Sequence, residues 1–316
     1  MNEASPAREN ILAGIEMGVG AWAWGERLMW GYGRDYSLGD LRAAFESSIA
    51  AGLRLFDTAE IYGQGQSELI LGQFLKQVAS QEPVMVATKF MPFPWRLSRQ
   101  ALVGALKSSL KRLGLSQVDL YQIHQPLPPV NIETWMEGLA EAIGAGLTRT
   151  VGVSNYDRAQ MQRANDRLLR DGYHLESNQV EYHLLNRKVE KNGLLQQCKD
   201  QGIVLIAYSP LAMGILTGKY SPDNLPQGIR SGRYGKKYLE KVQPLLALLK
   251  RIGAEQGSKT PSQVALNWVI CKGALPIPGV KTLRQAEQNA GARGWQLSDE
   301  AMAQLDEMSD RVCADL

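Results

Sequence analysis

Cysteine is scarce: Cys198, Cys271 and Cys313 are three in 316 residues, too widely spaced for a disulfide framework or a C-x-x-C pair. A reducing cytoplasm is the compartment this usage fits. Histidine is equally sparse. With His124, His174 and His183 alone, no H-E-x-x-H run and no close Cys/His grouping, no metal site is expected. No apolar run approaches the roughly 20 residues that span a bilayer, and Met1 to Asn10 is polar where a signal peptide would be apolar. The chain therefore reads as soluble and unprocessed, without a membrane partner. Like charges are not blocked together either: 35 basic and 32 acidic residues are interspersed and leave a net charge of +3, so nucleic acid is not an expected partner. Linkers, repeat arrays and low-complexity tracts are missing, and nothing reports the oligomeric state.

What is present is alternation. A 44% hydrophobic fraction supports a large core, and the chain switches between short apolar runs and longer amphipathic segments, the pattern of a parallel sheet crossed by helices. Eight strands are expected at Glu16 to Val19, Leu53 to Phe56, Val84 to Ala87, Val118 to Ile123, Thr150 to Val153, Ser177 to Val180, Val204 to Ala207 and Leu275 to Ile277. Helical periodicity falls at Leu38 to Ala51, Ser67 to Val78, Arg99 to Leu113, Ile132 to Gly144, Arg158 to Leu168, Lys188 to Lys199 and Pro261 to Cys271. Ser98 and Thr260 are expected to cap helices, the latter before Pro261 at the favoured first position. Extra helices are expected at Pro244 to Ile252 before strand eight and at Ser298 to Met308 at the C-terminus. Ser221 to Lys237, rich in Pro, Gly, Arg and Lys, reads as a long loop and a candidate lid. The sum is an α/β fold, a (β/α)8 TIM barrel, with residues 1–316 as one domain and about 14–310 as the barrel proper.

Such barrels build their sites at the C-terminal strand ends, where polar residues interrupt apolar runs. Asp57 follows Leu-Arg-Leu-Phe, Lys89 follows Val-Met-Val-Ala-Thr, His124 follows Leu-Tyr-Gln-Ile, and Tyr62 lies just beyond Asp57. Each alone has an ordinary explanation as a cap, a surface charge or a core residue. Together they suit carbonyl chemistry. A phenol can protonate a developing alkoxide if a neighbouring ammonium lowers its pKa; a carboxylate would hold that ammonium, and an imidazole would orient the oxygen.

These residues lie in Asp57-Thr-Ala-Glu-Ile-Tyr62-Gly-Gln-Gly-Gln-Ser-Glu68, Thr88-Lys89 and Ile123-His124, and through them the chain resembles the aldo-keto reductase family. The resemblance runs from about Gly14 to the last helix. It implies a catalytic tetrad of Asp57, Tyr62, Lys89 and His124 and NADP(H)-dependent reduction of aldehydes or ketones. It also implies that Ser154, Asn155 and Gln179 hold the nicotinamide amide, that Tyr208 stacks on the ring, and that Ser209, Leu211, Gly214 and Lys219 wrap the pyrophosphate. Gly20, Ala21, Trp22, Asp57 and Pro210 are further expected cofactor residues. After strand eight, Pro278, Gly279, Lys281, Gln285, Gln288 and Asn289 occupy the place of the adenosine 2′-phosphate site. Here Gly279, Gln285 and Gln288 replace the lysine, arginine and glutamate of the mammalian aldose-reductase pattern. The chain looks more like the branch with the potassium-channel beta subunits and bacterial and plastid reductases, and Lys281 is the cation available to a phosphate.

Trp22, Trp24, Trp30 and Tyr32 follow strand one, and Phe90, Phe93 and Trp95 follow strand three, so both loops should rim the barrel mouth. Trp22, Trp30, Tyr62, Phe90 and His124 are the expected substrate pocket; Trp24 and Trp95 fit loop packing at least as well. Gly18-Val-Gly20, Gly31-Tyr-Gly33 and Gly63-Gln-Gly65 do not complete a dinucleotide-binding fingerprint, and Gly152-Val-Ser154 is not a nucleophile elbow, since Tyr156 stands where the last glycine belongs. Two rivals remain: a Schiff-base aldolase using Lys89, and a cofactor-sensing binding protein resembling the channel beta subunits.

Overall fold

The computed structural model describes residues 10–77, 83–227 and 229–316. Met1 to Glu3 and the rest of the segment before Asn10 lie outside the described residues, as do Val78 at the expected end of the second helix and Gly228 in the 221–237 stretch. Eight parallel strands run β1 (Val19–Gly20), β2 (Leu55–Asp57), β3 (Met85–Phe90), β4 (Val118–Ile123), β5 (Thr148–Ser154), β6 (Ser177–Glu181), β7 (Val204–Tyr208) and β8 (Leu275–Pro276), paired in sequence order. Amides of Gly18 and Gly20 donate to the carbonyls of Pro276 and Pro278 at 3.0 Å each, which joins the last strand to the first. That junction needs Gly20, because a Cβ there would stand 2.8 Å from the carbonyl oxygen of Ile277. The chain is a (β/α)8 barrel.

Around the sheet lie α1 (Leu38–Ala50), α2 (Gln66–Leu75), α3 (Arg99–Leu113), α4 (Ile132–Gly144), α5 (Arg158–Leu169), α6 (Lys188–Lys191), α7 (Leu194–Asp200), α8 (Ile229–Arg233), α9 (Lys236–Glu255), α10 (Pro261–Cys271), α11 (Leu283–Ala290) and α12 (Asp299–Asp315). Thr260 caps α10 with a reciprocal box to Gln263, whereas Ser98 takes the extended N-cap conformation without a side-chain bond.

Several expectations shift. The first strand is two residues, not Glu16 to Val19. The expected helix Lys188 to Lys199 breaks at Gly193, whose φ of 78° ends α6 and starts α7. The 221–237 stretch is not all loop: it contains α8 and the start of α9. Pro244 lies inside α9 rather than at its start. The buried stripe Leu239, Val242, Leu246, Leu249 and Gly253 runs unbroken past it, and burying that face offsets the lost backbone hydrogen bond. Leu283 to Ala290, expected as a binding stretch, is also a helix, capped by Thr282.

Strand alternation divides the core in two. Leu55, Ala87, Leu120, Ile206, Leu275 and Ile277 cluster inside the barrel with Leu12, which plugs it. The residues of opposite parity face the helices: Phe56 packs on Phe45 of α1 at 4.9 Å between ring centroids. Two residues further along, the inward positions turn polar. Asp57, Lys89, Gln122 and Gln179 form a buried layer on top of the apolar one.

Candidate active site

Lys89 is fully buried and Asp57 is 2% exposed. The ammonium donates to Asp57 Oδ1, to the carbonyl of Thr58 at 2.9 Å and to Tyr62 Oη at 3.4 Å. An isolated ammonium could not stay charged there; the carboxylate on the adjacent strand makes the pair tolerable. Burial works against the charge, but Asp57 and Tyr62 outweigh it, and the Lys89 pKa lies above the usual lysine value. For Tyr62 the balance differs from the expectation. Burial is the largest influence and raises the phenol above 10.0; Lys89 pulls it down, as expected, without overcoming burial. The phenol is therefore protonated at neutral pH, the form in which an acid must stand ready.

His124, at the end of β4, presents its ring edge-on to Tyr62, with centroids 5.6 Å apart and planes at 83°. Burial, with Lys89 nearby, depresses its pKa to about 3, so the imidazole is neutral. Its buried Nδ1 has no hydrogen-bond partner. A bare acceptor is less costly to leave unpaired than an N–H, which favours the tautomer with the proton on Nε2.

The Asp57 to Glu68 motif holds this geometry through its other members. Ser67 Oγ bonds Thr58 Oγ1 at 2.7 Å and donates to the Ala21 carbonyl at 2.8 Å. Glu68, buried, accepts from Thr88 Oγ1 at 2.6 Å and pairs with Arg112 at 2.5 Å. Glu60 pairs with Arg96 and accepts the Met91 amide at 2.7 Å, tying the loop after β2 to the loop after β3.

Above the tetrad opens a cavity of about 780 Å³. Asp57, Tyr62 and His124 border it, with Lys89 behind them. Of the expected cofactor residues, Gly20, Trp22, Ser154, Asn155, Gln179, Tyr208, Ser209, Pro210, Leu211, Gly214, Lys219, Pro278, Gly279, Lys281, Gln285, Gln288 and Asn289 line it. Ala21 does not; it is fully buried, its amide bonded to the Asp57 carbonyl at 2.8 Å. Phe90 does not line the cavity either. Because Lys89 points inward, its neighbour on the strand points outward, and Phe90 packs on Trp135 of α4 at 5.0 Å. Trp24 is core, and Trp95, 73% exposed, stacks on Phe93. Trp22 and Trp30 do border the cavity and meet edge to face at 5.3 Å.

The lining is graded. At one end, Asn155 Nδ2 donates to the His124 carbonyl at 3.2 Å and Ser154 Oγ at 3.0 Å, while Tyr208 Oη donates to Asn155 Oδ1 at 3.0 Å and fixes the tyrosine ring. Ser209, Ala212, Met213 and Gly214 all have positive φ, from 49° to 98°, in a tight turn whose Ala212 and Gly214 amides donate to the carbonyls of Ser209 and Leu211 at 2.8 and 2.9 Å. Lys219, Arg230, Lys281 and Arg284 add cations to the same lining. Burial first, and then the nearby Arg230 and Lys219, lowers the Lys281 pKa, with Asp35 opposing them. Arg230 was missed by sequence reading, although the basic 221–237 stretch carried the signal; it lies 5.5 Å from the centre of the Trp30 ring, as does Lys281. Gln122 was missed because a glutamine inside an apolar strand announces no chemistry by itself.

A parallel barrel with a buried Lys–Asp pair behind a tyrosine, at the C-terminal strand ends and beside a long amide-to-cation groove, defines an oxidoreductase of the nucleotide-cofactor class. The Aldo/keto reductase family model matches residues 16–310, and the chain belongs to that family. It is 43% identical over 303 residues to the chloroplastic pyridoxal reductase of Arabidopsis thaliana, covering 92% of this chain and 82% of that protein. Among solved structures it is similar to the glycerol dehydrogenase of Gluconobacter oxydans, with a TM-score of 0.81, 26% identity and coverage of 94% and 91% of the two chains. It is also similar to an aldo/keto reductase of Klebsiella pneumoniae in complex with NADP and acetate, with a TM-score of 0.73, 29% identity and coverage of 93% and 91%. No helix among the described residues is long and apolar enough to cross a membrane.

Proposed function

We propose that this chain reduces aldehyde or ketone carbonyls to alcohols with NADP(H), and that Tyr62 delivers the proton. The observation that carries this reading is the buried Lys89 ammonium, held by Asp57 and 3.4 Å from the Tyr62 oxygen, at the floor of the cavity. The residues present fit the cofactor. Ser154, Asn155 and Gln179 offer polar atoms to a carboxamide, Tyr208 a fixed ring to stack on, the 209–214 backbone a seat for pyrophosphate, and Lys219, Arg230 and Lys281 charge for phosphate. Lys281 supports NADP over NAD as the preferred form.

When bound, the reduced nicotinamide supplies a hydride to the carbonyl carbon. Tyr62 Oη and His124 Nε2–H converge on the carbonyl oxygen and hold it. As negative charge develops there, Tyr62 gives up its proton, and Lys89 stabilises the phenolate left behind. Asp57 keeps the ammonium in position throughout. Trp22 and Trp30 form the apolar wall of the substrate side, which suits a flat or aromatic aldehyde; the likeness to a pyridoxal reductase makes pyridoxal the first compound to test.

The test is a fluorescence titration with NADP+ and NAD+, followed by a carbonyl panel read as loss of reduced-nicotinamide absorbance. Tyr62→Phe should lose about 10²- to 10⁴-fold in turnover with cofactor binding intact. Full turnover in that variant, or a borohydride-trapped adduct on Lys89 with no consumption of NADPH, defeats this reading in favour of another acid or of an aldolase.

A further inference from the structure

Asp57 is a buried carboxylate at the floor of the cavity, and a carboxylate can only accept hydrogen bonds. Oδ1 takes the Lys89 ammonium, while Oδ2 takes Nε2 of Gln179 at 2.9 Å and Nε2 of Gln122 at 3.2 Å. The carboxylate thus decides which end of each amide faces it. For Gln122, fully buried on β4, this turns Oε1 toward Gln179, whose Nε2 donates to it at 3.2 Å. Both N–H bonds of Gln179 are then spent inside the barrel. Gln179 borders the cavity, and the atom it has left to offer there is its carbonyl oxygen. A flipped Gln179 would set that oxygen against Asp57 Oδ2 and Gln122 Oε1 at once. Room for Gln122 comes from Gly152, its register partner on β5, where a Cβ would approach Gln122 Cγ to 3.1 Å and Ser177 Oγ to 2.4 Å.

We propose that Gln122 is a positioning residue that, as the second anchor beside Asp57, occupies the remaining N–H of Gln179 and holds its amide orientation, so that the cavity presents an acceptor and selects a ligand carboxamide N–H at the nicotinamide end. The inference rests on the cofactor reading above.

The experiment titrates the full chain with NADP+ and with its 3-acetylpyridine analogue, in which a methyl ketone replaces the carboxamide, by quenching of tryptophan fluorescence. The unaltered protein should prefer NADP+. Gln122→Met, which keeps the volume and removes both hydrogen-bonding groups, should weaken NADP+ and spare the analogue, compressing the preference about fivefold, the worth of one net hydrogen bond. In a Gln179→Met background the same change should leave the preference alone, because Gln122 acts through Gln179. An unchanged preference in Gln122→Met, or equal compression with Gln179 already replaced, overturns the proposal. Should Gln122→Met fail to fold, Gln122→Asn, whose shorter side chain withdraws the amide oxygen from Gln179, decides by the same comparison: a compressed preference supports the proposal and an unchanged one overturns it. Failure of the unaltered protein to bind NADP+ at all would sink the cofactor reading itself, a result distinct from all of these.

Discussion

Replacing Lys89 by methionine keeps the aliphatic bulk of the side chain and deletes its charge, which strands Asp57 at 2% exposure and leaves the Thr58 carbonyl without its 2.9 Å donor. Breaking a buried pair by removing one partner costs about 3–5 kcal/mol. Two amide donors remain on Asp57 Oδ2, from Gln122 and Gln179, so the lower end, about 3 kcal/mol, is the expected loss. Against a total stability of about 5–15 kcal/mol, that is a large fraction. Asp57→Asn should cost a similar amount by stranding the ammonium. The double variant removes both charges and should cost about 1–2 kcal/mol, well below the sum of the singles. Urea unfolding of the three variants, followed by circular dichroism, measures the cycle. A Lys89→Met loss under about 1 kcal/mol, or strict additivity, would refute the claim that a desolvated pair holds the tyrosine's partner in place.

His124 gives a pH prediction. Its folded pKa of about 3 lies below the unfolded value near 6.5, so its contribution to stability is complete above about pH 6.5 and is lost as pH falls toward 3, by up to about 4–5 kcal/mol. His124→Asn should flatten that part of the urea-midpoint profile, and an unchanged slope would show that the ring is not held neutral by burial. Lys281→Met should weaken NADP+ about tenfold and leave NAD+ within about twofold, measured by fluorescence titration; equal losses for both would remove Lys281 from the phosphate. Trp30→Ala should raise KM across an aldehyde panel with less effect on kcat, and unchanged KM values would show that the ring only packs against Arg230 and Lys281.

The order of strands and helices, and the gathering of Asp57, Tyr62, Lys89 and His124 at one end of the barrel, were legible because both depend on local pattern. Apolar runs and amphipathic periods report which way a segment must face, and Asp57, Lys89 and His124 are polar interruptions at strand ends. The misread elements are those where distant contacts overrule local preference. Pro244 stays inside α9 because its neighbours bury a continuous stripe, and α8 forms in a stretch whose composition reads as loop. Phe90 was placed in the pocket as part of a loop after a strand expected to end at Ala87, but β3 runs on through Phe90 and alternation turns it to the face opposite Lys89. The direction of the Tyr62 pKa could not be foreseen from the presence of Lys89, because the depth of burial depends on every element packed around the phenol. Residue order alone therefore settled the barrel and the strand-end places of Asp57, Lys89 and His124. The orientation of the Gln122 and Gln179 amides, the convergence of Lys219, Arg230 and Lys281, and the balance between desolvation and charge were decided in three dimensions, since each depends on atoms that closure of the barrel brings together.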